Sequence, residues 1–99
     1  MEYTSVIVSK NENIGFITLN RPDYNNTFNV PLANELNNAL IAFEADNTVN
    51  VIVINANGKN FCTGIDINDL EGKSNIEYST WVELMEKMKI TISQMGKPV

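Results

Sequence analysis

Residues 61–66 read Phe-Cys-Thr-Gly-Ile-Asp, and their types and spacing suit chemistry better than any other stretch of this sequence. They follow the apolar run from Val51 to Ile54 and the turn dipeptide Asn57-Gly58. A glycine that leads into a capped helical turn leaves backbone N–H groups free to face an anion or a polarised carbonyl. The stretch therefore predicts a backbone site for an oxyanion or a phosphate.

The individual residues of this stretch also have simpler interpretations, which stay open at the level of the sequence. Gly64 by itself indicates only a turn that needs a glycine. Asp66 suits the N-cap of a short helical turn through Leu70 better than it suits a general base. Cys62 is expected to be a small buried residue rather than a nucleophile, because these 99 residues include no His to activate it.

Composition excludes several classes of function for these residues. The absence of His and the single Cys rule out a Ser-His-Asp triad, a His-ligated metal site and an internal disulfide within the 99 residues. The net charge is −5 and the seven basic residues are scattered, so nucleic acid is not an expected partner. No apolar run approaches the roughly 20 residues that span a bilayer, and no signal-peptide pattern opens the chain, so a cytoplasmic location is expected.

The first half of the chain predicts a hairpin, a helix and a strand. Two stretches rich in Val, Ile and Thr, Tyr3–Ser9 and Ile14–Asn20, flank a polar tetrapeptide and predict antiparallel strands. Apolar residues recur at helical spacing from Pro31 to about Asp46, with Asn29 as the expected N-cap. The β-branched run Val49–Ile54 predicts a buried parallel strand, so a right-handed βαβ unit is expected.

The second half predicts a turn, a polar loop and a long helix. Asn57-Gly58 turns the chain, with Phe61 expected to pack back under the turn. A polar loop at residues 71–75 precedes a capping-box pattern formed by Thr80 and Glu83. The helix that follows is expected to end at Gly96, and its apolar positions favour a core or subunit contact over an acyl-binding wall. The positions so interpreted are Trp81, Met85, Met88 and Met95, and Leu84 and Ile92 share their helical spacing.

Three ordered stretches then resemble the enoyl-CoA hydratase/isomerase (crotonase) superfamily. The first is Ile17-Thr18-Leu19-Asn20-Arg21-Pro22 with Asn26 after it, similar to that family's strand ending in Leu-Asn-Arg-Pro. The second runs from Val51 through Gly58 to Ile67 and is similar to the family's Phe-x-Ala-Gly-x-Asp-Ile or Leu. The third is Gly96-Lys97-Pro98-Val99, which in the family opens the strand leading to a second glycine-rich motif. Their order and spacing cover the whole chain.

The resemblance implies an α/β fold, a fragment of a crotonase-like ββα spiral, with residues 1–99 as the N-terminal part of the domain. It implies an enzyme of acyl-CoA and fatty acid metabolism, a lyase or isomerase, that stabilises a thioester enolate through two backbone N–H groups. By this resemblance Ile65 supplies the first donor, and the second comes from a later turn that these residues lack. The substrate-binding positions it implies are Asp23, Tyr24, Asn25, Thr63, Gly64, Asp66, Ile67 and Asn68.

The resemblance also implies partners and shows departures. Coenzyme A enters as part of the substrate, no separate cofactor or metal is expected, and homo-oligomers such as trimers are usual in the family. Thr63 replaces the commoner Ala, and Tyr24-Asn25 is bulkier and more polar than the usual pair. The family's acid/base residues lie beyond Val99, so residues 1–99 alone are expected to be inactive or nearly so.

A second class of function remains open. The βαβ pattern and the turn at Gly64 also suit a self-contained α/β module that binds CoA or a nucleotide without chemistry. A Rossmann-type dinucleotide fold is disfavoured, because no Gly-x-Gly-x-x-Gly follows the first strand.

Overall fold

The computed structural model describes residues 3–62, 64 and 75–99. A three-stranded sheet is covered on one face by a helix, and a second helix packs on the first. The elements are β1 (Val6–Asn11), β2 (Ile14–Leu19), a 3-10 turn (Pro22–Tyr24), α1 (Val30–Ala45), β3 (Val51–Ala56) and α2 (Asn75–Gln94). The α/β class predicted from the sequence is confirmed.

The sheet has the order β1-β2-β3, with β1 antiparallel and β3 parallel to the central strand. The expected hairpin and the parallel direction of β3 are both confirmed. The predicted burial of β3 is wrong, because the sheet face away from α1 is partly uncovered and Ile52 alone in this strand is buried. The turn of the hairpin is shorter than the predicted tetrapeptide, because Asn11 still pairs with Ile14. Glu12 takes a left-handed φ of 55°, which lets residues 12–13 alone reverse the chain.

Helix α1 begins as the sequence predicts. The Asn29 side chain accepts a hydrogen bond from the Leu32 N–H at 3.0 Å, and Pro31 occupies the first turn. One side of α1 faces β2, where Gly15, Ile17 and Leu19 are buried. The approach is close at Gly15, since a Cβ there would lie 2.9 Å from three atoms of the Phe43 ring.

Helix α2 begins five residues before Thr80, so the predicted capping box does not start it. No Gly or Pro interrupts residues 75–80, and the helix therefore propagates through Thr80. The predicted core role of its apolar face is confirmed, since Trp81, Met85 and Met88 are buried. The helix ends at Gln94, just before Gly96, as predicted.

The last residues of the chain are held against α1 and β3. The Lys97 ammonium donates to the backbone carbonyls of Phe43 and Asp46 at the end of α1. The Ile52 N–H donates to the Pro98 carbonyl at 2.9 Å. Because β2 already occupies one side of β3, this bond places Pro98 on the other edge, in agreement with the expected approach to a further strand.

The sheet face opposite α1 is partly uncovered in these residues. Phe16 and Val53 are half-buried there, while Ile7, Ile14 and Val51 are exposed. Within residues 3–62, 64 and 75–99, no helix has the length and apolarity needed to cross a bilayer.

Candidate active site

Two loops meet at the end of the sheet where β2 and β3 both finish. The pre-helix loop (residues 20–29) connects β2 to α1, and the glycine turn (residues 57–62 and Gly64) follows β3. Parallel strands end at the same edge, so the sheet itself brings these loops together. Ligand sites in open α/β sheets occur at this kind of edge.

The pre-helix loop is a tight turn with unusual backbone angles. After the 3-10 turn, Asn25 and Asn26 take left-handed φ values of 56° and 54°. Asparagine tolerates this region better than most residues. The Arg21 guanidinium lies 4.7 Å from the centroid of the Tyr24 ring and donates to the Thr27 carbonyl. These two contacts of Arg21 brace the loop.

The glycine turn begins with a close contact to the pre-helix loop. Gly58 has a φ of +94°, and a Cβ there would lie 2.8 Å from the Cβ of Pro22. Both the backbone angle and the space require glycine. The Asn57 side-chain amide donates to the Asn20 side-chain oxygen at 3.1 Å, which joins the ends of the two strands.

Gly64 is held by its carbonyl and open on its Cα. Its φ is +115°, and its carbonyl accepts a hydrogen bond from the Phe28 N–H at 2.8 Å. No atom of the described residues beyond its chain neighbours lies within 4 Å of a Cβ built there. The Gly64 backbone is thus fixed through its carbonyl, and no described residue beyond its chain neighbours covers its Cα.

A buried amide joins the two loops. Asn26 is 0% exposed, and its side-chain oxygen accepts from the Arg21 N–H at 2.7 Å. Its side-chain nitrogen donates to the carbonyls of Asn57 and Asn60, each at 2.8 Å. The Asn60 amide in turn donates to the Asn25 side-chain oxygen at 3.1 Å. The loops are therefore one hydrogen-bonded unit.

The predicted site residues divide into two groups. Asp23, Tyr24, Asn25 and Gly64 are exposed at the meeting of the two loops. The structure connects Asn25 to the glycine turn through Asn60. The other predicted site residues lie outside the described part of the chain; they are Thr63, Ile65, Asp66, Ile67 and Asn68. The expected helical turn after Asp66 and most of the polar loop also lie outside it.

Of two expectations about neighbouring side chains, the one for Phe61 is wrong, and the one for Cys62 holds only in part because this side chain is partly buried against the core. Phe61 is 55% exposed and does not pack under the turn, because the Pro22 side chain already lies against Gly58. Cys62 is half-buried rather than buried, with its sulfur 3.7 Å from the Gly64 carbonyl oxygen.

The connecting role of the asparagines was not predicted. The sequence places Asn20, Asn25 and Asn26 after one strand and Asn57 and Asn60 after the next. This clustering at two strand ends is the signal from which paired loops could have been inferred. Among the residues that the structure describes, no three His, Cys, Asp or Glu side chains are grouped to hold a metal ion.

Comparison with known proteins identifies the family. The model of the enoyl-CoA hydratase/isomerase family matches residues 9–99. The chain belongs to the enoyl-CoA hydratase/isomerase family. This confirms the resemblance drawn from the three sequence stretches.

Individual members of the enoyl-CoA hydratase/isomerase family match the whole chain. It is 30% identical over 108 residues to a trans-2-decenoyl-[acyl-carrier-protein] isomerase of Streptococcus mutans, covering 100% of this chain and 39% of the relative. It is 31% identical over 100 residues to a crotonyl-CoA hydratase of Syntrophomonas wolfei, covering 100% of this chain and 38% of the relative. The chain thus spans less than half the length of these proteins.

The fold of this enoyl-CoA hydratase/isomerase family chain also matches solved structures. The crystal structure of an enoyl-CoA hydratase/carnithine racemase from Magnetospirillum magneticum superposes with a TM-score of 0.91 at 26% identity. The match covers 99% of this chain and 38% of that one. The crotonase-like fold of these residues is therefore confirmed.

Proposed function

We propose that these residues form the first half of an active site that acts on acyl-CoA thioesters, most directly as an enoyl-CoA hydratase or isomerase. Family membership supports the reaction class. The names of two relatives add enoyl thioesters carried on CoA and on acyl carrier protein. The Ile65 N–H is the proposed oxyanion donor, and the second donor and the acid/base groups are supplied outside residues 1–99.

The hydrogen bond from the Phe28 N–H to the Gly64 carbonyl carries this proposal. In a trans peptide group the carbonyl of one residue and the N–H of the next point in opposite directions. Because the Gly64 carbonyl is bonded to the pre-helix loop, we propose that the N–H of the next residue is turned away from that loop, toward a substrate. An oriented donor of this kind contributes about 2.7 to 4 kcal/mol to the transition state of an enolate-forming reaction.

The pre-helix loop is the proposed contact for the nucleotide end of coenzyme A. Asp23, Tyr24 and Asn25 are exposed and lie on a loop bonded to the glycine turn. We place the remainder of the thioester along Thr63, Gly64, Asp66, Ile67 and Asn68. No cofactor beyond the coenzyme A of the substrate is needed for this chemistry, and we propose a homo-oligomer as the working form.

Two protein lengths test the proposal. Residues 1–99 and the complete product of the same gene are assayed with crotonyl-CoA, with a decenoyl thioester of acyl carrier protein, and by calorimetric titration with CoA. We expect turnover of crotonyl-CoA by the complete product and almost none by residues 1–99. Substantial turnover by residues 1–99 would contradict the two-part site.

Other outcomes distinguish the alternatives. Tight CoA binding by residues 1–99, with no turnover by either form, would favour the non-catalytic binding module. Turnover of only the acyl-carrier-protein thioester would overturn the assignment of CoA as the carrier and leave the oxyanion role intact.

A further inference from the structure

We propose that Asn26 is a positioning residue. Through Asn26, substrate binding at the pre-helix loop determines the geometry of the glycine turn. The inference rests on the proposed function. It adds that the nucleotide part of the substrate raises the catalytic rate, in addition to raising affinity, because Asn26 connects the two loops. The acting groups remain the backbone of the glycine turn, and Asn26 acts through them.

The hydrogen bonds of Asn26 use both of its amide hydrogens and one lone pair of its side-chain oxygen. One oxygen accepts from the Arg21 N–H, and the two amide hydrogens reach the Asn57 and Asn60 carbonyls. All three partners are backbone groups, so the bonds fix the path of the chain in both loops. Asp lacks the two donors, and Gln is longer by one methylene. Asparagine therefore suits this buried position better than either.

The loops are also in contact on both sides of Asn26. On one side Pro22 lies against Gly58, and on the other the Phe28 N–H holds the Gly64 carbonyl. The Asn60 amide bonds to Asn25, which belongs to the proposed nucleotide contact. A shift of the pre-helix loop cannot occur without strain unless the glycine turn moves with it. Binding energy from the remote end of a substrate can thus be used to orient the donor.

The test compares crotonyl-CoA with crotonyl-pantetheine, which lacks the nucleotide, on the complete gene product. In the wild-type protein, kcat for the CoA thioester should exceed kcat for the pantetheine thioester. Asn26→Ala should lower kcat for crotonyl-CoA by about 10- to 100-fold, the scale of a donor misplaced by about 1 Å. It should lower kcat for crotonyl-pantetheine much less, so the ratio of kcat for crotonyl-CoA to kcat for crotonyl-pantetheine falls toward one.

Asn37→Ala is the matched control. Asn37 is also a buried asparagine, 4% exposed, but its side chain bonds to Thr91 between the two helices at 2.7 Å. Its loss should lower the melting temperature and leave the kcat ratio unchanged. Asn60→Ala removes an exposed link between the same loops and should lower the ratio partially, which keeps the test decisive if Asn26→Ala does not fold.

The outcomes separate this inference from the proposed function. An Asn26→Ala or Asn60→Ala protein that is folded and keeps the wild-type ratio would overturn the coupling alone. A wild-type protein that turns over neither thioester would overturn the proposed function, and the coupling with it. A lowered ratio in Asn37→Ala would show a general effect of stability and would also overturn the coupling.

Discussion

At the scale of single residues, the site depends on amides and on glycines with positive φ. Asn26 fills a buried position with three hydrogen bonds, and no buried side-chain nitrogen or oxygen in the described residues lacks a partner. Gly58 and Gly64 take φ values of +94° and +115°. Contact with Pro22 leaves no room for a Cβ at Gly58, whereas no described residue beyond the chain neighbours lies within 4 Å of a Cβ built at Gly64. The two glycines should therefore respond differently to substitution.

Replacing Gly64 with Ala tests the proposed donor directly. A Cβ at φ +115° imposes about 1 to 3 kcal/mol of backbone strain. If the backbone relieves this strain by rotating, the next N–H is misplaced and kcat should fall by about 100-fold or more. Steady-state kinetics and thermal melting of the complete gene product check this. Gly96→Ala is the control, because its Cβ would meet only the flexible end of Glu44 at 3.1 Å. An unchanged kcat in Gly64→Ala would contradict the role.

A second residue-scale prediction concerns acid stability. Hydrogen bonds from the Thr48 hydroxyl and then the Thr48 N–H lower the pKa of Asp46 from 3.8 to about 2, with a smaller contribution from Lys10. Since the folded pKa lies below the unfolded value, the carboxylate stabilises the fold above about pH 4. This contribution is lost as the pH falls from about 4 through 2.

Urea unfolding of residues 1–99 between pH 2 and 5 measures this effect. The difference in unfolding free energy between wild type and Asp46→Asn should be largest near pH 5 and should disappear toward pH 2. Thr48→Val removes the hydroxyl donor and should reduce the pH dependence of the same difference. A difference independent of pH would show that the pKa of Asp46 is not lowered in the folded state.

At the scale of the elements, the contact between β2 and α1 positions the two elements that flank the pre-helix loop. The Phe43 ring lies against Gly15, so α1 sits close to the central strand of the sheet. The pre-helix loop runs from the end of β2 to the start of α1. A change in this contact therefore acts on stability first and on the site only through the position of α1.

Gly15→Ala should destabilise the fold through that contact. The new methyl would lie 2.9 Å from three ring atoms, and overpacking of this kind costs about 1 to 3 kcal/mol. This exceeds the gain of about 0.4 to 1 kcal/mol expected from lower entropy of the unfolded chain. Urea unfolding measures the loss. Phe43→Leu in the Gly15→Ala background should recover part of it, and additive effects of the two changes would contradict a direct clash.

At the scale of the whole molecule, residues 1–99 leave apolar surface on the sheet face away from α1. Ile7, Ile14 and Val51 are exposed on that face. Exposed apolar patches and free sheet edges favour association. These residues also span only 38–39% of the two relatives that match their full length.

We predict that residues 1–99 associate in solution through this sheet face. Light scattering should give a mass well above the 11.1 kDa of one chain. Replacing Ile7 and Val51 with Thr should lower that mass, because Thr keeps the β-branched shape and reduces the apolar area. Ile90→Thr, at a half-exposed position of α2, should leave it unchanged. A monodisperse monomer in the wild type would contradict the prediction.

Local patterns in the sequence were sufficient for most of the elements. The helical spacing of apolar residues predicted α1, and Asn29 predicted its start because asparagine is a common N-cap residue. The β-branched run predicted β3 as Val49–Ile54, whereas the strand is Val51–Ala56. The start of α2 was missed because Thr80 and Glu83 resemble a cap, while the helix continues through them. Local patterns do not decide how far a helix or strand extends when the flanking residues can adopt the same conformation.

The sequence by itself determined the family, the α/β class and the glycine turn, since these follow from residue types, spacing and order. Only the tertiary structure decided that Asn26 joins two loops, that Phe61 is exposed and that the Phe28 N–H holds the Gly64 carbonyl. The physical reason is distance along the chain. Asn26 bonds to carbonyls 31 and 34 residues away, and such partners are chosen by the packing of β2, α1 and β3. No local pattern specifies them.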